Sequence, residues 1–112
     1  MQVLEIQPVE LKKLLDENKK VILIDVRQPE EFDLVKIEGS QLVPLDALPE
    51  RLEEIKDILA QESDERVVYC RSGGRSQTAI EWLEQQGLAG LKNLRGGVNA
   101  YAEEADTSLE PY

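Results

Sequence analysis

Residues 67–76 read Val67-Val68-Tyr69-Cys70-Arg71-Ser72-Gly73-Gly74-Arg75-Ser76. The apolar run up to Cys70 is continuous rather than alternating, as expected of a strand covered on both faces. From about Gly73 to Gln86 the pattern turns helical: Ala79, Ile80 and Leu83 share a face, and Gly87 suits the stop. A strand, a short loop and a helix in immediate succession form half of a βαβ unit. Cys70 then falls at the carboxyl end of a strand, where open parallel sheets hold their ligands.

The same alternation continues outward in both directions. Val3–Ile6 predicts a first strand, and Pro8 opens a helix whose stripe is Leu11, Leu14 and Leu15. Val21 to Asp25 is a second buried strand, and Pro29-Glu30-Glu31-Phe32 is a helix start with its acids in the first turn. Leu42-Val43 is a short strand, and Leu48, Leu52, Ile55 and Leu59 mark a helix over about 49–60. Leu91 to Leu94 is the last strand, Gly97 to Glu104 the last helix, and the tail from Asp106 reads as irregular. Strands alternating with helices predict an α/β domain built on a parallel sheet with both faces covered.

At 112 residues the chain is read as one domain, 1–112, long enough to bury a core without disulfides or metals. A net charge of −10 disfavours nucleic acid as a partner, so an anionic substrate needs locally concentrated positive charge. The single cysteine cannot form an internal disulfide and favours a reducing compartment. The N-terminus lacks the features of a signal peptide, and Val21–Ile24 is too short to span a bilayer. A cytoplasmic monomer with no membrane partner is expected. The chain has no histidine, which removes Cys-His and Ser-His catalysis and leaves no zinc ligand set. No metal and no cofactor are expected.

Two readings of Cys70 compete: a small buried hydrophobe at a strand end, or a nucleophile in an anion-binding loop. Without histidine, the thiol can be activated only by backbone amides at the helix N-terminus and by Arg71 and Arg75. Gly73 and Gly74 let successive amides converge, and Ser72 and Ser76 donate hydrogen bonds or cap the helix. Cysteine phosphatases place an arginine six residues after the nucleophile, around a phosphoryl group. Here the sixth residue is Ser76 and the arginine comes one earlier, at Arg75. The tighter cradle suits a persulfide sulfur better than a phosphate.

Four segments in order resemble the rhodanese family of sulfurtransferases. Cys70-Arg71-Ser72-Gly73-Gly74-Arg75-Ser76 is similar to its active-site loop. Asp25-Val26-Arg27 with Glu31-Phe32 resembles D-V-R-x-x-x-E-F, and Ile37-Glu38-Gly39-Ser40 resembles H-I-P-G-A. Leu94 to Tyr101 resembles L-x-G-G-x-x-A-W, so the likeness spans about residues 2–105. It implies a three-layer α/β/α fold with five parallel strands in the order 3-2-4-5-1. It also implies a two-step reaction, in which the Cys70 thiolate takes sulfur from a small anionic donor such as thiosulfate. The resulting persulfide passes it to a nucleophilic acceptor: cyanide, a thiol or a sulfur-carrier protein.

Arg71, Ser72, Gly73, Gly74, Arg75 and Ser76 would hold donor and persulfide. Asp25, Arg27 and Glu31 are read as structural support, Arg27 pairing with Glu30 or Glu31 to hold the neighbouring loop. Lys36, Glu38 and Tyr101 depart from the family's histidine, proline and tryptophan. The tail Gly96–Tyr112 resembles rhodanese domains fused to adenylating enzymes of sulfur-carrier pathways, which implies sulfur delivery for cofactor or tRNA thiolation. A non-catalytic binding module and a phosphatase or arsenate-type reductase remain as alternatives.

Overall fold

A computed structural model describes residues 2–112. Five strands, β1 (Leu4–Ile6), β2 (Val21–Asp25), β3 (Gln41–Leu42), β4 (Glu65–Tyr69) and β5 (Lys92–Leu94), alternate with five helices. The helices are α1 (Pro8–Asp16), α2 (Pro29–Leu34), α3 (Leu52–Leu59), α4 (Gly74–Gln85) and α5 (Gly97–Glu104). The sheet is parallel throughout, in the order β1-β5-β4-β2-β3, which is the implied 3-2-4-5-1 read from the opposite edge. Among the described residues no helix is long and apolar enough to cross a membrane.

Continuous apolar strands work here because alternate residues feed two cores. Ile22, Ile24, Val68 and Cys70 pack with Ile55, Ile58, Leu59, Ala79, Ile80 and Leu83 from α3 and α4. Leu23, Val67 and Tyr69 point to the other face and meet Leu11 of α1 and Val98 and Tyr101 of α5. A helix layer therefore covers each face of the sheet. A buried leucine contributes roughly 1.5–3 kcal/mol over leaving it exposed, so these two clusters hold most of the fold's stability.

Several boundaries differ from the sequence reading: β4 begins two residues earlier, at Glu65, and ends at Tyr69, and β1 and β5 each start one residue later than expected. The third strand is Gln41–Leu42 rather than Leu42-Val43, although Val43 N still donates to Asp25 O at 2.8 Å. The helix expected over 49–60 is shorter: a 3-10 turn occupies Leu45–Ala47, and α3 proper starts at Leu52. The segment 48–51 is a turn, so Pro49 does not open a helix as Pro8 and Pro29 do.

The register sets up the site. Asp25 at the end of β2 lies opposite Tyr69 at the end of β4, and Asn93 in β5 lies opposite Val68. Cys70 leaves β4 with Asn93 beside it on one flank and the Asp25–Arg27 segment on the other.

Candidate active site

The loop after β4 curls back on its own sulfur. Gly73 takes φ +114°, a left-handed conformation that glycine adopts without Cβ strain, and caps α4. This turns the Gly73 amide onto Cys70 Sγ at 3.1 Å and the Ser76 amide onto it at 3.5 Å. The Ser76 hydroxyl lies 3.3 Å from the same sulfur. Burial pushes the Cys70 thiol up, but the Ser76 hydroxyl and the amides of Ser76, Gly73 and Ser72 outweigh it. The thiol ends below its ordinary value. Cys70 itself is only 1% exposed.

The loop's outer side is clamped by α5. Val98 N donates to Cys70 O at 2.9 Å and Asn99 N to Arg71 O at 3.1 Å. Gly97 permits this approach. It has φ +66°, and a Cβ there would overlap the Arg71 carbonyl and lie 2.6 Å from the Cys70 carbonyl oxygen. Gly97 is thus a docking point for the Cys70 loop.

A chain of charges runs around the loop. Arg27 and Asp25 are both 0% exposed, with Arg27 Nε 3.0 Å from Asp25 Oδ1 and Nη2 2.7 Å from Oδ2. Arg27 Nη2 also donates to Val35 O at 2.5 Å, and Nη1 to the Tyr112 hydroxyl at 2.7 Å. The Tyr112 hydroxyl in turn donates to Glu31 Oε2 at 2.7 Å. Burial, together with that carboxylate, raises the Tyr112 phenol above its usual value. Arg75 grips Glu31 with two bonds, at 2.7 and 2.9 Å. Its two-bond grip, more than the phenol or the Gln28 amide, holds Glu31 well below the usual carboxylate range.

The predicted residues therefore fall into two groups. Cys70, Ser72, Gly73 and Ser76 converge on one sulfur. Arg75 points instead to Glu31, while Arg71 is exposed, its guanidinium carbon 4.9 Å from the centre of the Tyr112 ring. Gly74 is the first residue of α4 and has open space where a Cβ would be. Arg27 does not pair directly with Glu30 or Glu31 as expected; its link to Glu31 runs through the Tyr112 phenol. The residues 35–40 are tied down by Tyr69, whose hydroxyl accepts from Ile37 N at 3.2 Å and lies 2.7 Å from Ser40 Oγ. Burial, aided by the charge of Asp25, pushes that phenol up to about 12.

The chain matches the Rhodanese-like domain over residues 7–104. The chain belongs to the rhodanese-like domain family.

Among its relatives, a sulfurtransferase of Allochromatium vinosum is 37% identical over 107 residues, covering 96% of this chain and 95% of that protein. A probable adenylyltransferase/sulfurtransferase of Mycobacterium tuberculosis, MoeZ, is 36% identical over 109 residues. That match covers 96% of this chain and 26% of MoeZ, so the rhodanese-like domain spans about a quarter of such longer relatives. A rhodanese-like domain protein of Staphylococcus aureus superposes with TM-score 0.76 at 31% identity, covering 92% of this chain and 95% of that one. These relatives support a sulfurtransferase-type function for the rhodanese-like domain.

Two departures from the family's pattern find ordinary places. Lys36 is exposed and lays its ammonium 4.3 Å from the centre of the Phe32 ring. Tyr101 is 2% exposed and fills the α1/α5 core. Two site residues escaped the sequence reading. Asn93, 2% exposed, bonds both Ser76 and Gly73, and Tyr112 joins Arg27 to Glu31. The signal for Asn93 was a neutral polar side chain between Lys92 and Leu94 in the last strand. For Tyr112 there was none, because nothing periodic marks the tail. Among the described residues no three His, Cys, Asp or Glu side chains gather where a metal ion could be held.

Proposed function

We propose that the domain is a sulfurtransferase in which Cys70 carries the sulfur. The observation behind this reading is the cradle itself: a thiol lowered below its ordinary value by converging donors, with Gly73 N at 3.1 Å from Sγ. The thiolate attacks the outer sulfur of thiosulfate or a related donor. A bond forms between Cys70 Sγ and that sulfur, the bond to the sulfonate sulfur breaks, and sulfite leaves with the electron pair. Cys70 is left as a persulfide, whose terminal anion the loop amides stabilise as they do the thiolate. A nucleophilic acceptor then takes the outer sulfur and restores the thiolate. Cyanide serves in vitro, and a thiol or the end of a sulfur-carrier protein serves in the cell.

The small exposure of Cys70 favours a donor that is narrow at its reacting end, as a sulfane sulfur is. Arg71, exposed beside the loop, is the guanidinium placed to attract the donor's charge. Arg75, Ser72 and Ser76 hold the loop in shape. The names of the longer relatives, which join adenylyltransferase and sulfurtransferase, favour a carrier protein as acceptor.

Intact mass after incubation with thiosulfate tests the reading. Wild type is expected to gain one sulfur atom, lost again on adding cyanide, and Cys70→Ser to gain none. Failure of wild type to take sulfur from thiosulfate or any other persulfide-forming donor removes the proposal.

A further inference from the structure

Ser76 has one hydroxyl hydrogen and three acceptors around it. Asn93 Oδ1 is 2.6 Å away, Gly73 O 3.2 Å and Cys70 Sγ 3.3 Å. The orientation of the Asn93 amide is fixed, because its Nδ2 donates to Gly73 O at 3.0 Å. A flipped amide would set two carbonyl oxygens against each other. Gly73 O already accepts from Asn93 Nδ2 and from Gln77 N, whereas Ser76 is the donor at Asn93 Oδ1. The hydroxyl hydrogen therefore belongs to Asn93, and Ser76 Oγ turns a lone pair toward the sulfur. That arrangement suits a thiol, which donates, and opposes a thiolate, which only accepts.

We propose that Asn93 is a positioning residue for Cys70: it holds the Ser76 hydroxyl hydrogen away from the sulfur until the sulfur gives up its own. On ionisation the hydroxyl rotates to donate to Sγ, and Asn93 Oδ1 is left without a donor in a site 2% exposed. An unpaired buried carbonyl is costly, so Asn93 opposes ionisation. The amides of Gly73 and Ser76 are fixed by the backbone and favour the thiolate throughout. The same exchange applies when sulfur transfer leaves the thiolate or its persulfide in place, so Asn93 sets the balance between resting thiol and reactive anion.

Few charged groups complicate this balance. Arg75 of α4 is coupled to Cys70, and it carries Glu31 of α2 with it. Arg71 is exposed on the loop, β5 brings the neutral Asn93, and α5 begins with Gly97 and Val98. The inference concerns the proton of the sulfur and not its cargo. It rests on the proposed function for its consequence in turnover, but it is measured without any sulfur donor.

The test is the pH dependence of alkylation by iodoacetamide, which reports Cys70 alone because the chain has one cysteine. Asn93→Leu, similar in size and without an acceptor, is expected to lower the apparent thiol pKa by about one unit. In a Ser76→Ala background the same substitution is expected to leave it unchanged, since no hydroxyl remains to redirect. A rise toward the ordinary value of about 8.5, or an equal change with and without Ser76, would mean that Asn93 only braces the loop and overturns the proposal. Should Asn93→Leu fail to fold, NMR of the wild-type Asn93 side-chain amide decides. Its resonances are expected to move as Cys70 titrates in wild type and to stay fixed in Ser76→Ala; movement in both, or in neither, overturns it.

Discussion

Glu31 and Arg75, 44 positions apart, meet in a two-bonded ion pair, Nη1 to Oε1 at 2.7 Å and Nη2 to Oε2 at 2.9 Å. The pair fastens α2 to the first turn of α4, so the arginine that follows the Cys70 loop is occupied by a carboxylate. Glu31 Oε1 also accepts from Gln28 N at 3.0 Å, and Oε2 from Tyr112. One side chain therefore caps α2, neutralises Arg75 and anchors the tail.

This arrangement separates the two arginines by experiment. Arg71→Ala is expected to lower kcat/KM for thiosulfate about tenfold, the equivalent of ~1.4 kcal/mol, mostly through KM. Its thermal stability should stay close to wild type because the side chain is exposed. Arg75→Ala should instead lower the melting temperature, since it leaves Glu31 without its main partner. Unchanged melting in Arg75→Ala with a large rise in KM would transfer the donor-binding role to Arg75.

Acid should act through the same pair. Glu31 lies below its unfolded value because Arg75 binds its charged form. A lowered carboxylate stabilises the fold above the unfolded value of about 4.3 and loses that contribution as pH falls through the lowered one. Glu31→Gln keeps a side chain able to cap α2 but removes the charge. Urea unfolding is expected to show the variant about 1 kcal/mol less stable at neutral pH, a partly exposed pair being worth little more. The gap should narrow as pH drops below about 4.

The fold was legible because its causes are local. Val21–Asp25 and Val67–Tyr69 are continuous apolar runs, and only a strand buried on both faces needs one. Pro8 and Pro29 mark the starts of α1 and α2 where the structure has them. The two-residue strand Gln41–Leu42 carries no period, and its register comes from β2, so its limits were misread by one residue. The site divides the same way. The sulfur cradle lies within Cys70 to Ser76, where spacing alone brings amides to the thiol. The partners of that loop come from elsewhere: Glu31 from α2, Asn93 from β5, Tyr112 from the tail. Their meeting depends on sheet order and on which face each strand residue takes, and a sequence without contacts does not contain that information.

Asp25 and Arg27 carry a larger stake than Glu31. Both are fully buried, and Asp25 Oδ1 accepts from the Arg27 amide as well as from its side chain, each at 3.0 Å. Removing one partner leaves a charge in the interior, which costs about 3–5 kcal/mol. Asp25→Asn is expected to lose stability in that range by chemical denaturation. Val35 O and Tyr112 would still hold part of the guanidinium. A loss under about 1 kcal/mol would show that those two contacts suffice.

Gly97 and Gly74 give opposite expectations for the same substitution. At Gly97 a methyl group meets the Arg71 and Cys70 carbonyls, and φ +66° is strained for any L side chain. The left-handed conformation costs roughly 1–2 kcal/mol and the overlap with backbone a similar amount, so Gly97→Ala should destabilise by about 2–4 kcal/mol. At Gly74 a Cβ meets nothing within 4 Å and the residue opens α4, so Gly74→Ala should be neutral or stabilising by about 0.5 kcal/mol. The consequence extends to the thiol. Gly97→Ala can fold only by moving α5 off the loop, which breaks the bonds from Val98 N and Asn99 N and frees Cys70 and Arg71 to shift. The amides of Gly73 and Ser76 then lose their aim, and the apparent pKa of Cys70 alkylation should rise toward that of an ordinary thiol. Gly74→Ala leaves that titration where it was. If the two variants titrate alike, the docking of α5 on the loop has no part in shaping the thiol.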